Sequence, residues 1–418
     1  MARRFRNVQR LLTWPIAVGA CGVTSPDLSL HDAVIHVTPS YLPVLGGKEA
    51  YIYEIVSGLK DRRFVVLSSK ISGMRLRDEI GSRVGILRVG PRDFYRGPKS
   101  LPSPARLRLL VGYTLSLVRL SRQRRVTELL GASMIHSHWS DIGFVEALRG
   151  IVPEGTRERI IEMALTVASF QKPTIFTDHS MFLQQVSPSE HQLLAHALQT
   201  YEVVVCVEQE GALRAKEMAR EVGGSARVEY IPNCVNTDAF SPVDPSGDDR
   251  PTICYMGRAN KGYDLIFEVI RRLREYRFLL LVAGDQRSLA KWKTVVSDRV
   301  HLIVNSPPWD LPDLLAKATV MLNPILIPGI SRVTLESLAM GIPVIAATGT
   351  SRFPLVSGRT GILVEPTAAA FAKAARELME DETRRRGYGN EGRRIVVENF
   401  SNRIVLPQIA SVYANLAS

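Results

Sequence analysis

A chain of 418 residues exceeds what one hydrophobic core usually organises, which points to two domains. Hydrophobic residues at 45% and charged residues at 22% describe an ordinary globular protein, and no stretch reaches the roughly 18 apolar residues of a membrane span. The net charge of +12 calls for an anionic partner; with no nucleic-acid-binding motif in the chain, that partner is phosphate or an acidic lipid surface rather than nucleic acid. The four cysteines, Cys21, Cys206, Cys234 and Cys254, form no CxxC pair, and Cys206 and Cys254 sit in apolar runs as small buried hydrophobes of a reducing compartment.

Residues 1–32 read as a basic N-terminal extension. Arg3, Arg4, Arg6 and Arg10 precede a short apolar run interrupted by Trp14-Pro15, a pattern shared by a poor export signal, a membrane-surface segment and a disordered tail. The fold is expected to begin near Ala33. AVIHVT (33–38) has the apolar run of a buried parallel strand; a loop ending at Gly46-Gly47 follows. Ile52, Ile55, Val56 and Leu59 then recur on one helical face, and the next strand is expected at Phe64–Ser68. Residues 91–104 read as a surface loop. The helical stretch 105–130 carries Arg106, Arg108, Arg119, Arg122, Arg124 and Arg125, a basic face suited equally to solvent and to an anionic membrane.

Further strands are expected at Met134–His136, Thr174–Thr177, Val203–Val207 and Val228–Ile231. The segment PVDPSGDDRP (242–251) reads as a linker. Beyond it the strand–helix alternation restarts, with strands at Thr252–Met256, Phe278–Ala283, Val300–Val304, Val320–Leu322 and Pro343–Ala347. Helices are expected around Leu265–Leu273, over Leu311–Ala318, around Glu336 and beyond Thr367. Two βαβ series flanking one linker imply an α/β protein of two Rossmann-like, doubly wound domains facing an interdomain cleft, over 33–241 and 252–400, with a helix over 401–418.

Seven segments in order resemble those of retaining GT-B glycosyltransferases of the group 1, or family four, type. They are PSYLPVLGGKEAYIYEIVSGL (39–59), IHSHWSDIG (135–143), TIFTDHS (174–180), VEYIPNCVNTDAFSP (228–242), MGRANKGYDLI (256–266), VAGD (282–285) and TLESLAMGIPVIA (334–346). TDHSMF and YIPNCVNTDAF are similar to segments of phosphatidylinositol N-acetylglucosaminyltransferase catalytic subunits. The resemblance implies a nucleotide-sugar donor such as UDP-GlcNAc or GDP-mannose, a sugar or lipid-linked acceptor, and no metal or other cofactor. It also implies an acceptor domain at 33–241, a nucleotide-sugar domain at 252–400 and a helix at 401–418 packing back on the first domain. Cysteine usage and basic charge add the expectation of a cytoplasmic protein peripheral on the inner membrane face.

The site residues follow from that resemblance and from the chemistry. His179 stands where the family has its active-site histidine, able to hydrogen-bond a sugar hydroxyl and to steady charge at the anomeric carbon. Arg258 and Lys261, in GRxxKG, are expected in a loop after the first strand of the second domain, aimed at the leaving diphosphate; with His179 they form the catalytic set. Gly46, Gly47, Gly257 and Gly284 allow backbone to approach the donor, and Thr334, Leu335 and Glu336 form the family's ribose end, with the carboxylate accepting from hydroxyls.

This chain also departs from the pattern. Pro328 stands where the family usually has a second glutamate on the donor sugar, leaving backbone N–H groups of Gly329, Ile330 and Ser331 as the substitute sugar contacts. Glu208 stands where a serine is expected. His136 and His138 project to one side of a strand, but without a third ligand nearby in sequence no metal is expected. The rival readings are a non-catalytic nucleotide-sugar-binding or partner protein of the same fold, a phosphorylase and a sugar-nucleotide epimerase. The epimerase lacks a convincing carboxylate pair.

Overall fold

The computed structural model describes residues 33–38, 41–42, 46–70, 74–75, 77–80, 83–92, 132–138, 173–184, 188–242, 251–284, 286–326, 329–349 and 353–417. The basic extension, the arginine-rich stretch 105–130, most of the linker, Asp285 and Pro328 lie outside them.

The first half is an eight-stranded sheet in the order β3-β4-β2-β1-β5-β6-β7-β8, all parallel except the β3–β4 pair. Its strands are β1 (Val34–Val37), β2 (Phe64–Lys70), β3 (Arg77–Ile80), β4 (Val84–Arg92), β5 (Met134–Ser137), β6 (Thr174–Asp178), β7 (Val203–Cys206) and β8 (Arg227–Tyr230). Helices α1 (Gly47–Gly58), α2 (Pro188–Thr200) and α3 (Gln209–Glu221) cover it. The β3–β4 hairpin was not anticipated, and β4 runs through Pro91 to Arg92, where a loop was expected.

The second half is a six-stranded sheet, β11-β10-β9-β12-β13-β14, parallel throughout. It comprises β9 (Thr252–Arg258), β10 (Arg277–Ala283), β11 (Val300–Val304), β12 (Val320–Asn323), β13 (Val344–Ala347) and β14 (Gly361–Val364). Its helices are α4 (Tyr263–Arg272), α5 (Leu311–Leu315, shorter than expected), α6 (Arg332–Ala339), α7 (Ala368–Glu380) and α8 (Glu382–Phe400). Apolar runs such as Ile253–Met256 and Phe278–Val282 are buried along their length, as strands covered on both faces must be. Cys206, Cys234 and Cys254 are free and buried.

The chain then returns. After α8, Ser401 bridges Val235, with Val235 N–H donating to Phe400 O (2.9 Å) and Asn402 N–H to Val235 O (2.9 Å). Helix α9 (Asn402–Ala417) buries Val405, Leu406, Ile409, Val412 and Tyr413 in one cluster with Ile52, Ile55 and Val56 of α1, so the last helix belongs to the first core. The loop into α1 and the carboxyl ends of β6 and β7 on one side, and of β9 and β12 on the other, face a shared cavity of about 740 Å³. That is where open parallel sheets hold ligands.

Candidate active site

Helix α1 brings Gly46 and Gly47 to the cavity because the chain turns straight from a loop into the helix, with Gly46 as its extended N-cap. A side chain at Gly46 would collide with the Arg258 guanidinium, so the missing Cβ is what lets this loop meet the second half. The meeting is an ion pair: Arg258 donates to Oε2 of buried Glu49, one turn into α1, at 3.3 Å.

Arg258 is the last residue of β9 and not a loop residue, because the pairing of β9 with β10 continues to Arg258↔Ala283. Lys261 lies in the turn beyond, before α4, and both cations line the cavity. Burial, then the neighbouring Arg258, lowers the Lys261 ammonium from its ordinary value. Two cations that repel each other where they are partly desolvated are poised to bind a dianion. Lys48, next to Gly47, also lines the cavity and acts on His179; neither its charge nor its position had been singled out from the sequence.

His179 follows β6 and lines the cavity from the first half. Burial, then Lys48, depresses its pKa, keeping the imidazole neutral. Asp178 beside it accepts from Met181 N–H at 2.8 Å, while its Oδ2 has no partner among the described residues. Burial pushes this carboxyl up from 3.8 to about 7.

Helix α6 opens at Ser331 and points its N-terminus into the cavity, a favourable place for phosphate. Thr334 and Glu336 line the cavity. Glu336 does not stand alone: Arg332, one turn earlier, donates to it at 3.0 Å and also reaches Glu54 of α1 at 3.4 Å and the Cys234 carbonyl at 2.8 Å. All three side chains are buried. Burial raises the Glu336 and Glu54 carboxyls, and Arg332 opposes that rise in both. An ionised carboxylate has about four acceptor positions, so Glu336 retains capacity for a ligand hydroxyl beside Arg332.

Several expected contacts need correction. Leu335 is a core residue, 1% exposed, and its N–H is spent on Ser331 O within the helix at 3.1 Å. Gly284 is outside the cavity lining, and its N–H donates to Asn305 Oδ1 at 2.9 Å. The substitute sugar loop does line the cavity through Gly329, Ile330 and Ser331, but the Ile330 N–H already donates to Glu208 of the first half. Gly329 adopts φ +124, and a side chain there would strike Glu208 and Ser180. Glu208, which looked like a mere departure from pattern, ties the donor loop of one half to the other half. Gly257 lines the cavity, and buried Asn323 does too, with an Oδ1 that has no partner among the described residues. Asn323 escaped the sequence reading because a single asparagine at a strand end carries no motif.

The metal question also changes. A third histidine does exist: His36 on β1 lies directly opposite His136 on β5, and the donor nitrogens of His36, His136 and His138 fall within 4.8 Å of one another. No sequence spacing could show this, because the partner is supplied by strand register.

Two facing parallel α/β domains with this cleft define the class of the fold. The structure aligns with sucrose-phosphate synthase from Thermosynechococcus elongatus at TM-score 0.68, with 18% identity over 92% of this chain and 99% of that one. It aligns with Anabaena HepE solved with UDP and glucose at TM-score 0.61, with 15% identity over 92% of this chain and 100% of that one. This is the GT-B architecture. Residues 250–381 match the family described as glycosyl transferases group 1.

Among relatives, it is 28% identical to a GDP-mannose-dependent alpha-(1-6)-phosphatidylinositol monomannoside mannosyltransferase of Mycolicibacterium smegmatis, over 44% of this chain and 56% of that protein. It is 25% identical to the GPI3 subunit of phosphatidylinositol N-acetylglucosaminyltransferase of Saccharomyces cerevisiae, over 73% and 65%. An alpha-maltose-1-phosphate synthase of M. smegmatis is 26% identical over 46% and 58%. The chain thus spans between 56% and 65% of the length of these three relatives.

Proposed function

We propose that this protein is a glycosyltransferase that moves a sugar from a nucleotide-sugar donor to a hydroxyl acceptor with retention at the anomeric carbon. The observation that carries the reading is the convergence on one cavity of Arg258, Lys261, the α6 N-terminus and Glu336 from the second half with His179 from the first. The nucleoside lies against Glu336 and Thr334, the diphosphate meets Arg258, Lys261 and the helix N-terminus, and the acceptor approaches from the first half. As the sugar–oxygen bond breaks, charge grows on the diphosphate, and preorganised cations stabilise that charge more in the transition state than in the ground state. The acceptor attacks from the face that the diphosphate vacates, its proton passing to the departing diphosphate. Neutral His179 hydrogen-bonds a sugar hydroxyl.

A lipid acceptor carrying phosphatidylinositol fits the net charge of +12 and the names of two relatives. No helix among the described residues is long and apolar enough to cross a membrane; on this reading the protein meets such an acceptor peripherally, at the cytoplasmic surface of the bilayer. The test is calorimetric titration with UDP, GDP, ADP, UDP-GlcNAc and GDP-mannose, followed by turnover of the bound donor with phosphatidylinositol vesicles and with soluble glycosides. Transfer with retained anomeric configuration is expected; binding of no nucleotide sugar would overturn the reading. A second reading, a binding protein without turnover, draws on one observation: the Glu336 carboxyl group is held by Arg332. It requires donor binding with no transfer to any acceptor and no donor hydrolysis.

A further inference from the structure

Behind His179 lies a line of buried hydrogen bonds that sugar transfer, as described above, does not use. Thr177 Oγ1 meets His136 Nε2 at 2.6 Å, and His136 Nδ1 meets the Tyr413 hydroxyl at 2.8 Å. Tyr413 meets His36 Nε2 at 3.4 Å, His36 Nδ1 meets His138 Nε2 at 2.8 Å, and His138 Nδ1 meets His179 Nε2 at 3.4 Å. Every ring nitrogen in the line except His179 Nδ1 has a partner within it. His36, His136, His138 and Tyr413 are each 0% exposed.

The same three histidines suggest a metal site, but the geometry argues against it. Nitrogens bound at about 2.0–2.1 Å in a tetrahedral zinc site stand roughly 3.3 Å apart. His36 Nδ1 and His138 Nε2 are only 2.8 Å apart, and both nitrogens of His136 are engaged by hydroxyls. These are hydrogen-bond contacts between rings, and burial holds all four imidazoles below their ordinary pKa, hence neutral.

A neutral imidazole has one donor and one acceptor nitrogen. Where ring meets ring, from His36 through His138 to His179, fixing one proton fixes all three; the Tyr413 hydroxyl, which can accept from both sides, does not pass that constraint on to His136. In one state these rings donate toward His179, with the Tyr413 hydroxyl donating to His36 Nε2, so that His179 Nε2 accepts and Nδ1–H is its remaining donor. In the other they donate away, with the hydroxyl accepting from His36, so that His179 Nε2–H donates and Nδ1 is its remaining acceptor. We infer that this line is a tautomer relay in which Tyr413, His36 and His138 act as positioning residues that fix the proton on His179. Tyr413 belongs to α9, the helix that follows the whole second domain, so the line is complete only when the chain has returned to the first. The consequence for sugar transfer rests on the function proposed above; the tautomer itself does not.

The test is long-range ¹H–¹⁵N correlation NMR of the full chain with ¹⁵N-labelled histidine, the His179 signal being assigned by its loss in His179→Asn. One tautomer of His179 is expected to dominate in the wild type. Tyr413→Phe cuts the middle of the line while keeping the ring, and should shift the His179 tautomer ratio several-fold with unchanged far-UV circular dichroism; His138→Phe should do so more strongly. An unchanged ratio in folded Tyr413→Phe overturns the relay, even if His138→Phe does not fold. A shifted ratio supports it whether or not any donor turns over. Where transfer is measurable, Tyr413→Phe should lower kcat several-fold with little change in donor KM.

Discussion

The two halves share an architecture but handle polar chemistry in opposite ways. Among the described residues, the second sheet is apolar through its strands, with Asn323 the one buried polar group on them, and its candidate chemistry sits on strand ends, a turn and one helix. The first sheet carries His36, Ser68, Arg88, His136, Ser137, Thr174, Thr177 and Asp178 inside its strands, all buried. A buried polar group costs about 1–3 kcal/mol unless it is hydrogen-bonded, and His36, His136 and Thr177 meet that cost by bonding to one another through Tyr413 and on to His138 and His179. The second half follows the usual arrangement of an open parallel sheet, with its polar groups at the carboxyl ends of the strands. The first has given up apolar burial for a connected polar interior beneath His179.

Mutations can break or sharpen this contrast. The largest effect is expected at the seam. Arg332→Leu leaves Glu54 and Glu336 buried without their cation and should cost about 3–5 kcal/mol in denaturant unfolding. A loss below about 1 kcal/mol would mean that the seam opens in solution, because exposed ion pairs are worth no more than that. Next comes the chemistry assigned to the second half: Arg258→Ala with Lys261→Ala should lower kcat on the order of 10²–10³-fold in a protein that stays folded. Near-wild-type turnover would remove both from the mechanism.

The buried carboxyl of the first half makes a pH prediction. The folded pKa of Asp178 rises from 3.8 to about 7, so the folded state binds the proton more tightly than the unfolded chain does. Its contribution to stability is therefore present at low pH and is lost as pH rises through that window. Asp178→Asn should remove this slope, so the stability difference, variant minus wild type, should grow from pH 4 to pH 7; a difference independent of pH would sink the assignment. The smallest effect is expected at Glu208. Glu208→Ala frees the Ile330 N–H and loosens the loop from Gly329 to Ser331, raising donor KM about fivefold, or roughly 1 kcal/mol. A fall in KM would instead show that the freed N–H serves the sugar.

How much was legible depended on whether a residue's role was local. The two strand–helix series, the glycine turn before α1 and the positions of His179, Arg258, Lys261 and Glu336 follow from short-range pattern and resemblance, and all four side chains line one cavity. Leu335 and Gly284 misled because adjacency in a motif does not say which way a side chain or an N–H points: helix periodicity turns Leu335 into the core, and Asn305 takes the Gly284 amide.

The sequence by itself therefore determined the class of fold and the local devices proposed to meet a phosphate, because periodicity and turn chemistry act over a few residues. Only the tertiary structure decided which distant groups share a proton or a charge. Strand register set His36 beside His136, the returning helix brought Tyr413 to both, and the closing of the two halves set Glu208 on Ile330 and Glu54 on Arg332. Hydrogen bonds and ion pairs act within about 3–4 Å, and residues far apart in sequence come that close only when the whole chain is folded.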